Sequence, residues 1–532
     1  MTLPVGGEAH SRDSKPPPAT LDEGIDQQHP ARSGGVLQRA QITLFGSGLG
    51  GILAVVNEIV CARYLGVGSY GLYAFALVLA RIAEAIATIG LPVATLHFIS
   101  IYRDRKQPRL VLGTILASLL PPLLIGGTFT VLLLAFAPTL AQKVFGNARA
   151  VPFIQAMALA IPFMGLSEVL GVITRGFGHA AYYVVVRSLV PPVVFFGSLL
   201  LITSHAFDPH WVPAAFCLAS VTAALTGIAA VLKVGGGELF RLKPQLPLRE
   251  LYGYSFPVLL NILMYLVVAC TPILLLSAMQ SDTEVGIFRA CMQLVIPFDM
   301  VVIAFNAAVG HLYPVLEHNN RRQELAALVE RITRWMSTLA LAMVLVIALN
   351  RHDLMRMMGP EFVAGANTLA VLALGHAVLC CVGSAGYLLV MSGRQRFETI
   401  NAVLAAAFCV ILNLSLIPSF GSLGAAVATA LACLLVSVLR IFQVKRLMAI
   451  QVLRPSLLRI IALASFTAVA VFTVARYLPV GDGSGIPGLI MRNALIAALF
   501  IALYWFFGLD HKDRHAVVDA WHNYRRRSAV QR

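Results

Sequence analysis

Long apolar runs separated by short polar gaps dominate the pattern of this chain. Fourteen runs are long enough to be spanning helices, since a helix needs about 20 mostly apolar residues to cross a membrane. None alternates with period two or stops after about ten residues, as the strands of a membrane barrel do. The pattern therefore predicts an all-α polytopic membrane protein. The predicted spans are 41–61, 70–100, 110–137, 150–174, 183–203, 211–232, 252–278, 285–314, 330–349, 362–391, 397–417, 422–443, 456–478 and 487–508.

Composition strengthens this interpretation. Of the 532 residues, 58% are apolar and only 12% are charged, and the mean hydropathy is +0.81. Soluble domains are roughly 45–50% apolar and about 25% charged, so the excess apolar surface must face lipid. A soluble enzyme and a nucleic-acid-binding protein are thereby excluded, despite the net charge of +15.

The basic residues predict the orientation. Gaps that would be cytoplasmic if the N-terminus is inside contain, together with Arg32, Arg39 and the C-terminal tail, 29 Lys and Arg, against seven in the other gaps. Such an excess marks the cytoplasmic side. We therefore expect a multi-pass protein of a bacterial inner membrane with both termini in the cytoplasm. Residues 1–36 read as a disordered tail, and the basic tail 510–532 as a segment that binds anionic membrane lipids.

An internal repeat divides the chain. Gly71 and Gly286 open two predicted spans in similar sequence, and Gly178 and Gly393 follow two others. The separation along the chain is 215 residues for both pairs (286 − 71 and 393 − 178). We call this separation the repeat offset. We infer two six-helix halves in parallel orientation, residues 37–234 and 235–449, followed by two extra helices in 450–509. Parallel repeats of this kind are typical of transporters with a cavity between the halves.

Two motifs are similar to those of a known family. The segments 63–66 (Arg-Tyr-Leu-Gly) and 70–73 (Tyr-Gly-Leu-Tyr) form the first. The second runs from 413–418 (Asn-Leu-Ser-Leu-Ile-Pro) through Phe420 and Gly421 to 424–429. Both resemble the polysaccharide transporters, the Wzx-type lipid-linked oligosaccharide flippases of the MOP exporter superfamily, over residues 40–450. Val67 stands where that family often has Pro.

The resemblance implies a flippase that moves a polyprenyl-diphosphate-linked oligosaccharide across the inner membrane for exopolysaccharide, capsule or O-antigen synthesis. It implies no enzymatic activity and no cofactor other than a coupling H⁺ or Na⁺, with a polysaccharide polymerase and assembly proteins as further partners. A cation-coupled drug antiporter of the same superfamily is an alternative. A polysaccharide polymerase or ligase is a second alternative, against which the short loops argue.

Ionisable residues within predicted spans are the candidate functional groups, because such residues are costly in a membrane. Arg81 and Arg289 are expected to bind the diphosphate or acidic sugars of the substrate, because a guanidinium binds phosphate oxygens bidentately. Glu84, Asp299 and Glu168 are candidates for ion coupling, and the repeat offset places Glu84 and Asp299 at matching positions of the two halves. The alternative is that Arg81 and Glu84 neutralise each other. No catalytic residues and no metal site are expected.

Overall fold

A computed structural model describes residues 30–452 apart from Asn147, Ala206 and His311, together with Phe466. Every regular element in this part of the chain is helical. The first half (the N half) contains α1 Pro30–Thr88, α2 Leu91–Asp104, α3 Pro108–Leu140, α4 Ala150–Gly176, α5 Ala180–Val184, α6 Val190–Ser204 and α7 Trp211–Leu239. The second (the C half) contains α8 Leu248–Met279, α9 Asp282–Val309, α10 Leu312–His318, α11 Arg322–Met358, α12 Ala366–Met391 and α13 Gln395–Met448. Helix α1 thus begins inside the predicted tail 1–36, whereas spans 456–478 and 487–508 and the tail 510–532 lie outside the described residues.

Ten helices of the described part are long and apolar enough to cross a membrane, and two of them are hairpins. In the first, the Tyr70 hydroxyl lies 2.6 Å from Glu58 Oε2, although twelve residues of straight helix would span about 18 Å. In α13, Asn401 and Gln443 exchange amide hydrogen bonds of 2.8 and 2.7 Å across 42 residues. Each hairpin has two arms, so the described residues contain twelve candidate membrane crossings. The predicted all-α polytopic fold is confirmed.

Each hairpin turns at a single glycine. Gly66 (φ 69°, ψ 167°) breaks α1, and Gly421 (φ 53°, ψ −131°) breaks α13. Positive φ is readily adopted by glycine, which has no Cβ. We expected residues 62–69, the polar gap between two predicted spans, to form a loop, and this is wrong. These residues are helical on both sides of Gly66, because a single glycine with positive φ is enough to reverse the chain.

The repeat recurs in the hydrogen bonds that end two helices. At the end of α4, the amide of Gly178 donates to Arg175 O at 2.8 Å and that of His179 to Thr174 O at 3.1 Å. At the end of α12, the amides of Gly393 and Arg394 donate to Val390 O and Leu389 O at 3.2 and 2.9 Å. Both glycines have positive φ, 83° and 71°. The two helices thus end in the same Schellman-type cap, displaced by the repeat offset.

The two halves meet in close backbone contact where α1 crosses α9. A Cβ on Gly71 would lie 2.0 Å from Asp282 O, and a Cβ on Gly286 would lie 2.1 Å from Val67 O. The two backbones therefore touch, and the contact is reciprocal because the repeat offset also relates Val67 to Asp282. We call this side of the molecule, which contains the turns at Gly66 and Gly421, the outer end, after its predicted orientation.

The halves also meet at the opposite, inner end, through α2 and α8. The rings of His97 and Tyr254 stack with their centroids 4.8 Å apart. The Tyr102 hydroxyl donates to Glu250 Oε2 at 2.7 Å. Backbone also touches backbone here, since a Cβ on Gly90, just before α2, would lie 2.6 Å from Ser255 O of α8. The inner contact thus combines side-chain contacts with a close backbone approach, as the outer contact does.

Candidate functional site

Charged side chains from four regions converge in the N half and at its border with α9. Arg81 and Glu84 lie on α1, Glu168 on α4, Arg187 in the π-helical turn Val185–Leu189, and Arg289 on α9. The charges of the other four all act on Arg81. The structure thus brings together four of the five residues singled out from the sequence, together with Arg187. We call these five residues the charge cluster.

Arg289 forms an ion pair with a residue of the N half. Its Nη2 lies 2.8 Å from Glu58 Oε1, and both side chains are largely buried, with exposed fractions of 20% and 15%. The other Glu58 oxygen accepts the hydrogen bond from Tyr70. This pair joins α1 to α9 near the Gly71–Gly286 crossing, so Arg289 holds the two halves together at the outer end.

Glu168 pairs with Arg187, which joins α4 to the π-helical turn. The sequence interpretation counted Arg187 among the basic residues of a cytoplasmic gap, and this placement is wrong. The residue lies within the spanning segment Ala180–Ser204, where a buried charge needs a partner of opposite sign. Glu168 supplies that partner.

Arg81 is the cation of the cluster that remains accessible. It forms no ion pair or hydrogen bond with any described residue, and neither does Glu84, so the expected mutual neutralisation of these two side chains is not a direct contact. The side chain of Arg81 is exposed in the structure. Its guanidinium nevertheless lies among the other charges of the cluster. This combination is expected of a residue that lines an internal cavity.

Asp299 lies apart from the charge cluster, in the C half. Its Oδ1 is 3.6 Å from Nδ1 of His376 on α12, and 44% of the Asp299 side chain is exposed, against 9% for His376. Its charge acts on Tyr265, Cys380 and Cys433. The two carboxylates at matching repeat positions therefore have different neighbours: arginines near Glu84, and a histidine near Asp299.

The sequence analysis did not select three residues that take part in these contacts. Glu58, His376 and Tyr70 each pair with a residue that lies elsewhere in the chain, and 231 residues separate Glu58 from Arg289. A usable signal did exist for Glu58 and Arg187, because each is an ionisable residue inside an apolar run of the sequence. The choice of partner could be read only from the fold.

The comparisons with known proteins agree with these observations. The model of a family described as "Polysaccharide biosynthesis protein" matches residues 36–320. A curated relative, stage V sporulation protein B of Bacillus subtilis (strain 168), is 26% identical over 183 residues. That match covers 34% of this chain and 35% of the relative, so this chain aligns with about a third of the relative's length.

Solved structures share the fold. The lipid II flippase MurJ in an inward closed conformation matches with a TM-score of 0.66 and 12% identity, covering 87% of this chain and 98% of that one. A multidrug resistance MATE family transporter of the MOP superfamily, in an inward-facing conformation, matches with a TM-score of 0.64 and 13% identity, covering 77% and 98%. At these identities the likeness shows the fold alone. The resemblance that the sequence motifs indicated is confirmed by the family model, since residues 36–320 are more than half of the chain and contain the first motif.

Proposed function

Because the chain belongs to the polysaccharide biosynthesis protein family, we propose that it is a flippase for a polyprenyl-diphosphate-linked oligosaccharide. It would carry this lipid from the cytoplasmic to the outer leaflet of a bacterial inner membrane, for the synthesis of exopolysaccharide, capsule or O-antigen. The hydrophilic head would cross through the cavity while the polyprenyl chain stays in lipid. A polysaccharide polymerase and assembly proteins would take up the product.

The accessibility of Arg81 is the observation that carries the proposal. A guanidinium that no described residue pairs with, within a membrane-spanning segment, is costly unless a ligand uses it. Its planar fork matches the oxygens of a diphosphate. Glu168 already engages Arg187, and Glu58 already engages Arg289, so Arg81 is the arginine of the charge cluster that is left for substrate.

Alternating access would work through the two contacts between the halves. The outer contact is made by Gly71, Gly286 and the Glu58–Arg289 pair, and the inner contact by the approach of Gly90 to Ser255 and by side chains of α2 and α8. The head would enter from the inner end and bind Arg81. The inner contact would then close and the outer contact open. In this cycle Arg289 holds the outer end closed through its ion pair with Glu58. It would contact the substrate only after that ion pair has broken.

Glu84, Asp299 and Glu168 remain the candidates for binding a coupling ion. Glu84 and Asp299 have no partner of fixed positive charge in direct contact among the described residues, whereas Glu168 is engaged by Arg187. Glu84 also supports the alternative function, a cation-coupled drug antiporter, because a carboxylate in the cavity can bind an organic cation. A polymerase or ligase remains the second alternative, and the experiment below separates all three.

The test uses a strain that lacks the protein and carries either the natural chain or a variant. Polyprenyl-diphosphate-linked oligosaccharides are extracted, the membrane face that they occupy is determined, and surface polysaccharide is quantified. Arg81→Ala should lower export by about 10- to 100-fold, since a charge-assisted hydrogen bond contributes about 1.5–3 kcal/mol. Arg81→Lys should retain part of it, because charge remains without the fork. Arg321→Ala is the matched control, since Arg321 is exposed and pairs with Glu324 on the helix that it precedes.

Intermediates trapped on the cytoplasmic face, with surface polymer lost, support the flippase. Unpolymerised intermediates on the outer face indicate a polymerase. Unchanged lipids and polymer in the strain that lacks the protein leave the drug antiporter, and normal export by Arg81→Ala removes Arg81 from the site.

A further inference from the structure

His376 is a buried side chain whose polar atoms are not satisfied. Only 9% of it is exposed, and neither ring nitrogen has a hydrogen-bond partner among the described residues. Buried polar groups are nearly always hydrogen-bonded. The nearest charged group is Asp299, whose Oδ1 lies 3.6 Å from Nδ1. This distance is too long for a hydrogen bond but well within the range of attraction between opposite charges.

Helix α12 packs closely against its neighbours around His376. Next to it, Gly375 lies so close to α13 that a Cβ there would meet the Ala430 Cα at 2.6 Å. Further along α12, a Cβ on Gly383 would meet Val302 Cγ1 of α9 at 2.8 Å. Helix α12 is thus packed closely between α9 and α13, the two helices that provide Asp299 and Cys433.

Few other titratable groups surround the pair. The His376–Asp299 pair is faced by Tyr265 of α8, Cys380 of α12 and Cys433 of α13. The charge of Asp299 acts on all three of these side chains. Arg440 acts on Cys433 but is bound to Glu398. Helix α11, which also packs along α12, has no acidic, basic, Tyr or Cys residue between 335 and 350. Of the side chains named in this paragraph, imidazole is the type that ordinarily gains and loses a proton between pH 5 and 8.

The two halves differ at this point. The repeat offset places Ile161 where His376 stands, and Ile161 is fully buried. It also places Ile296, Ala402 and Gly383 where Arg81, Arg187 and Glu168 stand. The N half thus has Arg81 and Arg187 and no histidine at the matching position, whereas the C half has none of these arginines at the matching positions but has a histidine and a carboxylate.

We propose that His376 and Asp299 form a proton-binding site in the C half, and that the proton bound there drives transport. The proton adds to the Nδ1 lone pair of the imidazole, and the Asp299 carboxylate stabilises the resulting cation. Asp299 is 44% exposed, so it connects the cavity with the buried ring. Release of the proton regenerates the neutral imidazole. Na⁺ fits less well, since hard cations prefer oxygen ligands to imidazole nitrogen. The coupling role, unlike the site itself, rests on the proposed function.

Proton binding can be measured without any transport substrate. The full-length protein, labelled with ¹⁵N in its histidines and reconstituted in lipid bilayers, is titrated from pH 5 to 9 by solid-state NMR. The His376 signal is identified by its loss in His376→Gln, and His97→Gln, at an exposed ring of the inner contact, is the control that must leave it in place. We expect the His376 ring to titrate in this range. Asp299→Asn should change the pH dependence of this signal, because the Asp299 carboxylate is the charge that faces the ring.

A His376 signal that does not titrate, or a midpoint that Asp299→Asn leaves unchanged, overturns the site. The coupling role is tested in cells: His376→Gln at normal abundance should accumulate cytoplasmic-face intermediates as the strain without the protein does. Normal export by that variant overturns coupling even if the ring titrates. Failure of the proposed function is recognised separately, by normal lipids in the strain without the protein.

Discussion

The crossing of α1 and α9 gives a sharp prediction, because two helix backbones touch there. In Gly71→Ala the new Cβ would lie 2.0 Å from Asp282 O, whereas ordinary van der Waals contact begins at 3.4 Å. The two helices must therefore move apart at this point until the overlap is relieved. Backbone atoms cannot swing aside as a flexible side chain can, so the strain falls on the closed outer end.

Overpacking of this kind costs about 1–3 kcal/mol, and it acts only on the conformation in which the outer end is closed. The ratio of outer-closed to outer-open molecules should consequently fall by about 5- to 150-fold. Gly286→Ala should have the same effect, since its Cβ would meet Val67 O at 2.1 Å. Gly68→Ala is the matched control: it lies on the same arm of α1, and nothing lies within 4 Å of its Cβ position.

The populations can be measured by double electron–electron resonance. Spin labels at Asp208→Cys in the N half and Thr283→Cys in the C half report the opening of the outer end, in a variant whose eight native cysteines are replaced and which still supports export. Gly71→Ala should shift the distance distribution toward longer values, and Gly68→Ala should not. An unchanged distribution in Gly71→Ala, or an equal shift in Gly68→Ala, would refute the reasoning.

Three further predictions concern the carboxylates that join helices. Glu58→Leu should lower the free energy of unfolding by about 3–5 kcal/mol, because it leaves the buried Arg289 without a counter-charge. Adding Arg289→Leu should recover most of that loss in a denaturant titration. No recovery would contradict the pairing. Glu168→Leu should likewise destabilise the protein, and should do so less when Arg187→Leu is present; equal losses would indicate that the pair is not coupled. Glu284→Ala removes the acceptor of the amide that follows Gly421, so a loss of about 0.5–2 kcal/mol is expected, and an unchanged free energy of unfolding would show that this cap contributes nothing.

The apolar pattern predicted the fold because length and apolarity alone decide whether a helix can cross a membrane. The gap 62–69 separated two predicted spans, but its residues are helical on both sides of Gly66, because one non-helical residue is enough to reverse the chain. The repeat was detectable because glycines mark backbone requirements that no other residue meets as readily. Gly71 and Gly286 permit a backbone contact, and Gly178 and Gly393 adopt positive φ.

The candidate site was predictable only as a set of residues. An ionisable residue in a span is conspicuous in the sequence, and Arg81, Glu84, Glu168, Arg289 and Asp299 all proved to lie within spanning helices. Their partners depend on which helices become neighbours. Nothing in the local sequence indicates that Arg289 pairs with Glu58 or that His376 lies beside Asp299. The roles of these residues in transport remain predictions.

The contact at the α1–α9 crossing has a further consequence for the origin of the chain. Gly71 meets Asp282 and Gly286 meets Val67, so exchanging the halves maps the contact onto itself. Symmetric homodimers are built on such self-complementary, isologous contacts. Two copies of a single six-helix chain could have formed the same interface, and the fusion of their genes would have freed each copy to change alone. The arginines on one side and the histidine on the other are the kind of divergence that such a fusion permits.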